Sequence, residues 1–307
     1  MRLPDAKILR IMRLHIVVGG ALAFSLGMLL AIAEGGSFDP ARVALYYVVV
    51  LFGDLSTHYS NDYFDVEVDK IAEQKKFFSG SNILVDHPSL RPLSRSISIS
   101  LLIFSNVLAA VAVLFLEAPI EFLIIALGAN FLGWSYSAPP LRLISRGLGE
   151  IAVALATGFA IPGIGYLAVR GQFDPLFFYL AIPFVMYGLM LCLSLEAPDR
   201  EIDRKGGKSN IVVRKGERIV FSLISAMALS ATLTFIFYAW EITSTIVDLG
   251  VIALFSIVPL TAGLLGFVAV FKKKKVTQFG TLNVASLFFF NVLMNAYLLT
   301  IAFNHIA

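Results

Sequence analysis

Charged residues are scarce in this sequence. Only 15% of its 307 residues are Asp, Glu, Lys or Arg, whereas a soluble domain carries about a quarter. The hydrophobic share is 58%, and the mean hydropathy is +0.83. This composition argues against an ordinary soluble domain and predicts a polytopic membrane protein.

Cysteine is almost absent. The one cysteine, Cys192, cannot form an internal disulfide, and the metal sites that need pairs of cysteines are excluded as well. We also expect no cleavable signal peptide, because the first apolar segment is long and interrupted by glycine.

Long apolar segments are abundant. Nine of them are long enough, or nearly so, to cross about 30 Å of hydrocarbon as helices at ~1.5 Å per residue. We predict these spans at 12–33, 41–60, 97–117, 119–137, 147–169, 175–195, 219–240, 245–270 and 280–303. The expected fold class is all-α: a bundle of nine transmembrane helices in one domain, 1–307, with the active site in a polar cap on the cytoplasmic side.

The basic residues lie almost entirely on one side of these spans. Of the 24 Lys and Arg residues, only Arg42 and Arg170 fall in loops of the opposite side. Cytoplasmic loops carry the excess of positive charge in membrane proteins. We therefore predict that the N-terminus and the two long loops, 61–96 and 196–218, are cytoplasmic and that the C-terminus lies outside.

Each long loop opens with an acidic motif of the same spacing. The first motif contains Asp62, Asp65 and Asp69, and the second contains Glu196, Asp199 and Asp203. Both read acid-x-x-acid-x-x-x-acid, and each follows an even-numbered span, which suggests two related halves that face one site. An additional glutamate in each motif, Glu67 or Glu201, is expected to face away from that site.

Steps of three and four residues place all three acids on one face of a helix, where like charges repel. A solvated helix end would explain one such motif but not two. Mg²⁺ is usually bound by a few carboxylates together with substrate phosphates. Lys and Arg residues interleave with the acids, so the pattern predicts a site for Mg²⁺ and a polyanion such as diphosphate.

These motifs resemble those of the UbiA superfamily of intramembrane prenyltransferases. Residues 61–69 resemble its NDxxDxxxD signature, and residues 196–203 its second aspartate motif. Further similar stretches are FFSGS at 77–81, RPL at 91–93, WSYSAPPLR at 134–142, RGLGE at 146–150 and GK with IVVR at 207–214. The resemblance covers most of the chain, and members of the family have nine transmembrane helices.

Two positions depart from the family pattern. Glu196 stands where the second motif usually begins with Asn, which adds a negative charge. Arg142 stands nearest to the family's Lys, and a guanidinium stays protonated, so it cannot readily act as a base.

The resemblance implies Mg²⁺-dependent transfer of a polyprenyl group from its diphosphate. Two Mg²⁺ ions, bridged by the diphosphate, would be held by Asp62, Asp65, Asp69, Glu196, Asp199 and Asp203. The residues predicted to be catalytic are Asp65, Asp199, Tyr136 and Arg142; Tyr136 offers an aromatic face to an allylic cation. The diphosphate would be bound by Asn61, Lys70, Arg91, Arg146, Arg204 and Lys208.

The acceptor is predicted to be an aromatic quinone precursor, because the FFSGS stretch is similar to menaquinone-type members. A glycerol-phosphate lipid is the alternative acceptor. An ion-coupled transporter is the alternative of another class, disfavoured because the acids follow the apolar runs instead of interrupting them. Apart from these substrates and the bilayer, we expect no nucleic-acid partner and no obligate protein partner.

Overall fold

The structure is a computed structural model that describes residues 6–71, 81–242, 246–273 and 276–306. Residues 77–80 of the FFSGS stretch lie outside the described residues. So do five of the cations that we used to predict the topology, namely Arg2, Lys75, Lys76, Lys274 and Lys275.

Nine long helices follow one another along the described residues. They are α1 Leu14–Ala33, α2 Pro40–Phe64, α3 Arg91–Phe115, α4 Ile120–Ser137, α5 Gly149–Arg170, α6 Pro175–Glu196, α7 Ile211–Glu241, α8 Leu249–Phe271 and α9 Val276–Ile306. Each one coincides with a predicted span, and the described residues contain no strand. The predicted all-α fold is confirmed.

The helix starts differ most from the predicted bounds at α3, which begins well before its apolar run, and at α7, whose first residues are separated from the apolar run by a non-helical break at Gly216 (φ 77°, ψ 167°). The side chain of Asn210 accepts a hydrogen bond from the backbone N–H of Val213 and so caps α7. Such a cap lets a helix begin in polar sequence. Helix α3 has no side-chain cap and begins instead with Pro92 in its first turn.

Eight of the nine helices are long and apolar enough to cross a membrane, as far as the described residues show. The exception is α2, whose 25 residues are long enough but include Asp54, His58, Asn61 and Asp62. These polar side chains explain its low hydropathy, and they lie on the helix that carries the first acidic motif.

The helices pack around a central cavity. Helix α2 packs against α3 and α4, α6 packs against α5, α7 and α9, and α1 packs against both α5 and α9. Helix α5 is interrupted by a π-helical turn at Ala156–Ala160, and such turns occur frequently at functional sites. Asn130 of α4 donates hydrogen bonds to Ser105 and Asn106 of α3.

Candidate active site

The two acidic motifs have the same local fold. Each begins near the end of a long helix, crosses a break at its middle Asp, and continues into a short helix, Val66–Asp69 or Arg200–Lys205. The second motif differs by a 3₁₀ turn at Ala197–Asp199. The backbone angles at the breaks are nearly equal, with φ −96° and ψ 7° at Asp65 and φ −99° and ψ 5° at Asp199. The repeat in the sequence is therefore also a repeat in conformation, but neither motif forms one continuous helix.

Lys208 joins the two motifs. Its Nζ atom lies 3.2 Å from Oδ2 of Asp65 and 3.3 Å from Oδ1 of Asp203. Burial disfavours the charged amine, but the carboxylates of Asp65 and Asp203 outweigh this effect and raise the pKa of Lys208. The ammonium group thus holds one carboxylate of each motif at the same place. This confirms that the motifs converge, as their spacing predicts.

Both motifs line one end of a cavity of about 370 Å³. The polar residues at this end are Arg13, Asn61, Asp65, Asp69, Glu196, Asp199, Asp203 and Lys208. The rest of the wall is mainly apolar and comes from α2, α4, α5 and α6, with Tyr136 beside the polar end. The cavity therefore has a charged end, which we call its mouth, and an apolar interior.

Asp62 is placed differently from the other acids. Its two carboxylate oxygens accept from Arg13 and from Ser81, and its side chain is only 1% exposed. Asp62 was predicted to bind Mg²⁺, but it does not line the cavity. An arginine already neutralises this carboxylate, so in the structure it anchors α2 to the residues that precede α1.

Asn61 is held by neighbours on both sides of its amide. Its Nδ2 donates to Oγ of Ser137 at 2.8 Å, and its Oδ1 accepts from Arg13 at 3.4 Å. Ser137 ends α4, directly after Tyr136. This bond fixes the end of α4 against the first motif.

The second motif is fixed by side chains that follow it. Asn210 donates from Nδ2 to Oδ2 of Asp203 at 2.9 Å, while the same amide caps α7. Glu150 of α5 accepts from the backbone N–H of Ile211 at 2.6 Å. The start of α7 is therefore bonded both to the motif and to α5.

Asp69 lies in a strongly acidic setting. Burial, with added repulsion from Asp62 and Asp65, raises the pKa of Asp69 to about 7. Arg13 and Lys208 oppose this shift without cancelling it. Burial is the largest cause of the shift in pKa, so the ionised form of Asp69 is disfavoured in the metal-free protein.

Four predicted diphosphate ligands lie outside the cavity lining. Lys70 and Arg91 contact the exposed carboxylate of Glu67, at 2.9 Å and 3.7 Å. Arg204 pairs with Glu201 at 2.6 Å, and Arg146 donates to the carbonyl of Pro140. In the structure local acceptors on the surface engage these four cations, and their binding of diphosphate stays a prediction.

Arg142 is near the site without lining the cavity. Its Nη2 lies 4.0 Å from Oδ1 of Asp65, and its φ of 44° is left-handed. The predicted diphosphate ligands that do line the cavity are Asn61 and Lys208.

The prediction from sequence missed Arg13, Ser81, Asn210 and Asp54. Arg13 was treated only as a cation that sets the topology, although it neutralises Asp62. No spacing rule connects residues this far apart in the chain. For Asp54 a signal did exist, since a carboxylate inside an apolar span is costly and usually functional.

The carboxylates fit Mg²⁺ as a shared site. Oδ1 of Asp65 and Oε2 of Glu196 are buried oxygens without a hydrogen-bond donor, and both residues line the cavity. Among the described residues, no three Asp, Glu, His or Cys side chains group closely enough to hold a metal alone. Mg²⁺ takes waters and substrate phosphates as further ligands, so the two unpartnered oxygens are the donors that the cavity offers it.

Comparisons with known proteins find a similar sequence and similar folds. The chain is 27% identical over 232 residues to digeranylgeranylglyceryl phosphate synthase from Pyrococcus abyssi, covering 74% of this chain and 75% of that protein. Among solved structures, a UbiA homologue from Archaeoglobus fulgidus bound to GPP and Mg²⁺ has a TM-score of 0.71 at 18% identity. The match covers 96% of this chain and 99% of the homologue.

A second structure, named for digeranylgeranylglyceryl phosphate synthase in membranes, has a TM-score of 0.63 at 18% identity and covers 98% of both chains. These two structures show that the fold is shared. The model of the UbiA prenyltransferase family matches residues 21–300. The chain belongs to the UbiA prenyltransferase family.

Proposed function

We propose that this protein transfers a prenyl group from its diphosphate to the hydroxyl of a glycerol-phosphate lipid, with Mg²⁺ as cofactor. The observation that carries the proposal is the cavity, in which two acidic motifs form the mouth and apolar helices form the interior. A prenyl diphosphate has the matching shape, with a charged head and a hydrocarbon tail. Membership of a prenyltransferase family argues against an ion-coupled transporter.

The residues of the mouth have two different roles in binding the diphosphate. Asp65, Asp69, Glu196, Asp199 and Asp203 would hold Mg²⁺, which when bound neutralises the departing diphosphate. Lys208 already bridges the motifs and supplies a cation for the phosphate oxygens.

The apolar wall excludes water from the reacting carbon. An allylic cation forms as the diphosphate leaves, and water would capture it. Tyr136 lines the cavity beside the acids, where the face of its ring stabilises positive charge.

The lipid acceptor is preferred because of the Pyrococcus abyssi relative, whose name describes a glycerol-phosphate lipid product. The sequence alone favoured an aromatic quinone precursor, on the strength of residues that are largely outside the described part of the chain. No contact in the described cavity favours an aromatic ring over a lipid. We therefore propose the glycerol-phosphate lipid, which was the alternative acceptor from sequence, in place of the aromatic precursor.

The experiment is a competition between acceptors. The purified protein in lipid nanodiscs would receive Mg²⁺, labelled geranylgeranyl diphosphate, and either geranylgeranylglyceryl phosphate or 1,4-dihydroxy-2-naphthoate. We expect a mass-identified product with two chains from the lipid and none from the naphthoate. Product from the naphthoate alone would restore the aromatic acceptor.

A further inference from the structure

Asp54 lies inside α2, about two helical turns or roughly 10 Å along the axis from Asn61. Its side chain is 23% exposed and lines the main cavity. It also lines a second cavity of about 180 Å³. A carboxylate within a membrane helix is expensive and marks a functional site by default.

The second cavity lies between α1, α5, α6 and α9. It shares Ile16, Asp54, Thr157, Ile161, Leu191 and Leu195 with the main cavity, so the two meet at Asp54. Thr157 belongs to the π-helical turn of α5. Two hydrocarbon-lined spaces thus converge on one carboxylate, as a reaction between two chain-bearing lipids requires.

His58 presents a ring nitrogen without a hydrogen to Asp54. Nδ1 of His58 lies 2.9 Å from the backbone carbonyl of Met12, and a carbonyl only accepts, so Nδ1 carries the hydrogen. Nε2 then faces Oδ1 of Asp54 at 3.5 Å. Without a further proton a lone pair opposes a carboxylate, and one added proton turns this contact into a hydrogen bond.

The contacts of Asp54 show no role in stabilising the fold. Within the described residues His58 is its one recorded hydrogen-bond or ion-pair partner. Glu150, a buried acid outside the motifs, accepts from the start of α7 through Oε1 and leaves Oε2 without a partner, but it lines neither cavity. Asp54 therefore remains as the carboxylate that is open to a substrate.

We propose that Asp54 is the catalytic base that receives the proton of the acceptor hydroxyl, with His58 as its positioning residue. The hydroxyl oxygen bonds to the first carbon of the prenyl chain, and the bond from that carbon to the diphosphate breaks. The diphosphate keeps the electron pair, and the hydroxyl proton moves to Asp54, where Nε2 of His58 shares it. The lipid as acceptor rests on the proposed function, whereas the base serves any acceptor with a hydroxyl.

The test replaces Asp54→Asn, which keeps the size but cannot accept the proton. We expect kcat to fall at least about 100-fold, the usual range for a general base, while the KM for the donor stays within about twofold. Mg²⁺-dependent thermal stabilisation by an unreactive thiolodiphosphate analogue should be unchanged. Glu67→Gln, an exposed acid after the same helix, is the matched control and should keep full activity.

A series of acceptors separates a base from a structural role. The loss in Asp54→Asn should shrink for an analogue fluorinated beside its hydroxyl, because a more acidic hydroxyl needs less help from a base. His58→Gln, whose amide can still donate to the carbonyl of Met12, should show a smaller loss with the same trend.

Unchanged kcat in Asp54→Asn would overturn the assignment, and so would an equal loss with every acceptor. If the wild type uses only the naphthoate, the lipid acceptor fails, and the test of Asp54 proceeds on the naphthoate, whose ring carbon bonds to the prenyl chain while its hydroxyl proton moves to Asp54. Absence of turnover with every acceptor would refute both proposals.

Discussion

Each acidic motif contains one glutamate that does not take part in the site. Glu67 is 69% exposed and pairs with Lys70, and Glu201 is 59% exposed and pairs with Arg204. Both pairs join residues three apart, shortly after the break. They confirm the prediction that these glutamates face away from the cavity, and they provide controls of matched charge.

At the residue scale we first predict that Asp65→Asn or Asp199→Asn abolishes prenyl transfer, with a loss of at least about 100-fold in kcat/KM. Each change removes a carboxylate charge from the mouth of the cavity. Glu67→Gln and Glu201→Gln should stay within about twofold of the wild type, since exposed ion pairs contribute little. The measurement is labelled product per minute in nanodiscs. Comparable losses in all four variants would contradict the distinction between the acids of the cavity and the exposed acids.

Asp69 leads to a prediction about pH. Its pKa of about 7 leaves it partly protonated in the metal-free protein at neutral pH, and a metal ligand must be deprotonated. Mg²⁺ binding should therefore release protons, and the affinity should rise between about pH 6 and about pH 8. Titration calorimetry in buffers of different ionisation enthalpy measures the release, using an unreactive donor analogue.

Asp69→Asn is the control for this linkage. The variant should bind Mg²⁺ more weakly and release fewer protons near pH 7. If the proton release is the same in the variant, another group is its source.

The acids were predictable from sequence because their spacing repeats, which is a local signal. The partners of the acids were not. Arg13 reaches Asp62 across 49 positions, and Ser137 reaches Asn61 across 76. Such contacts exist only after the helices pack, and they decide which carboxylates remain for a metal.

At the element scale, Asn210 links the stability of α7 to the active site. One amide caps α7 through Val213 and holds Asp203. We predict that Asn210→Ala costs about 1 kcal/mol of stability, as the loss of a cap does, and also lowers the affinity for Mg²⁺. Thermal unfolding in detergent and Mg²⁺ titration measure the two effects.

Asp248→Ala is the matched control for Asn210→Ala. Asp248 caps the start of α8 by accepting from Gly250, far from the acidic motifs. It should lose a similar amount of stability and keep the wild-type affinity for Mg²⁺. A loss of affinity in both variants would assign the effect to general destabilisation.

The helices themselves were largely predictable from hydrophobicity, but the breaks inside the motifs were not. The spacing of the acids fits one face of a continuous helix, whereas the chain breaks at Asp65 and at Asp199. Acid-rich sequence next to a span carries no local signal for such a break. After the breaks, Lys208 contacts both motifs, through Asp65 and Asp203. This is a tertiary contact, which local sequence does not encode.

At the scale of the whole molecule, the alternation of the nine helices and the placement of the cations imply one orientation in the membrane. We propose that the acidic motifs face the cytoplasm. The native protein suits cysteine mapping, because its one cysteine, Cys192, is buried and gives an unlabelled background. The loop at Gln172, between α5 and α6, and the short helix at Glu201 are exposed on opposite ends of α6.

We predict that a membrane-impermeant maleimide labels Gln172→Cys in intact cells. Glu201→Cys should be labelled only after the membrane is opened, because the excess of Lys and Arg keeps its side in the cytoplasm. Gel-shift of the labelled protein measures both reactions, with the native protein as control. The reverse pattern would place the acidic mouth outside, where the prenyl diphosphate made in the cytoplasm could not reach it directly.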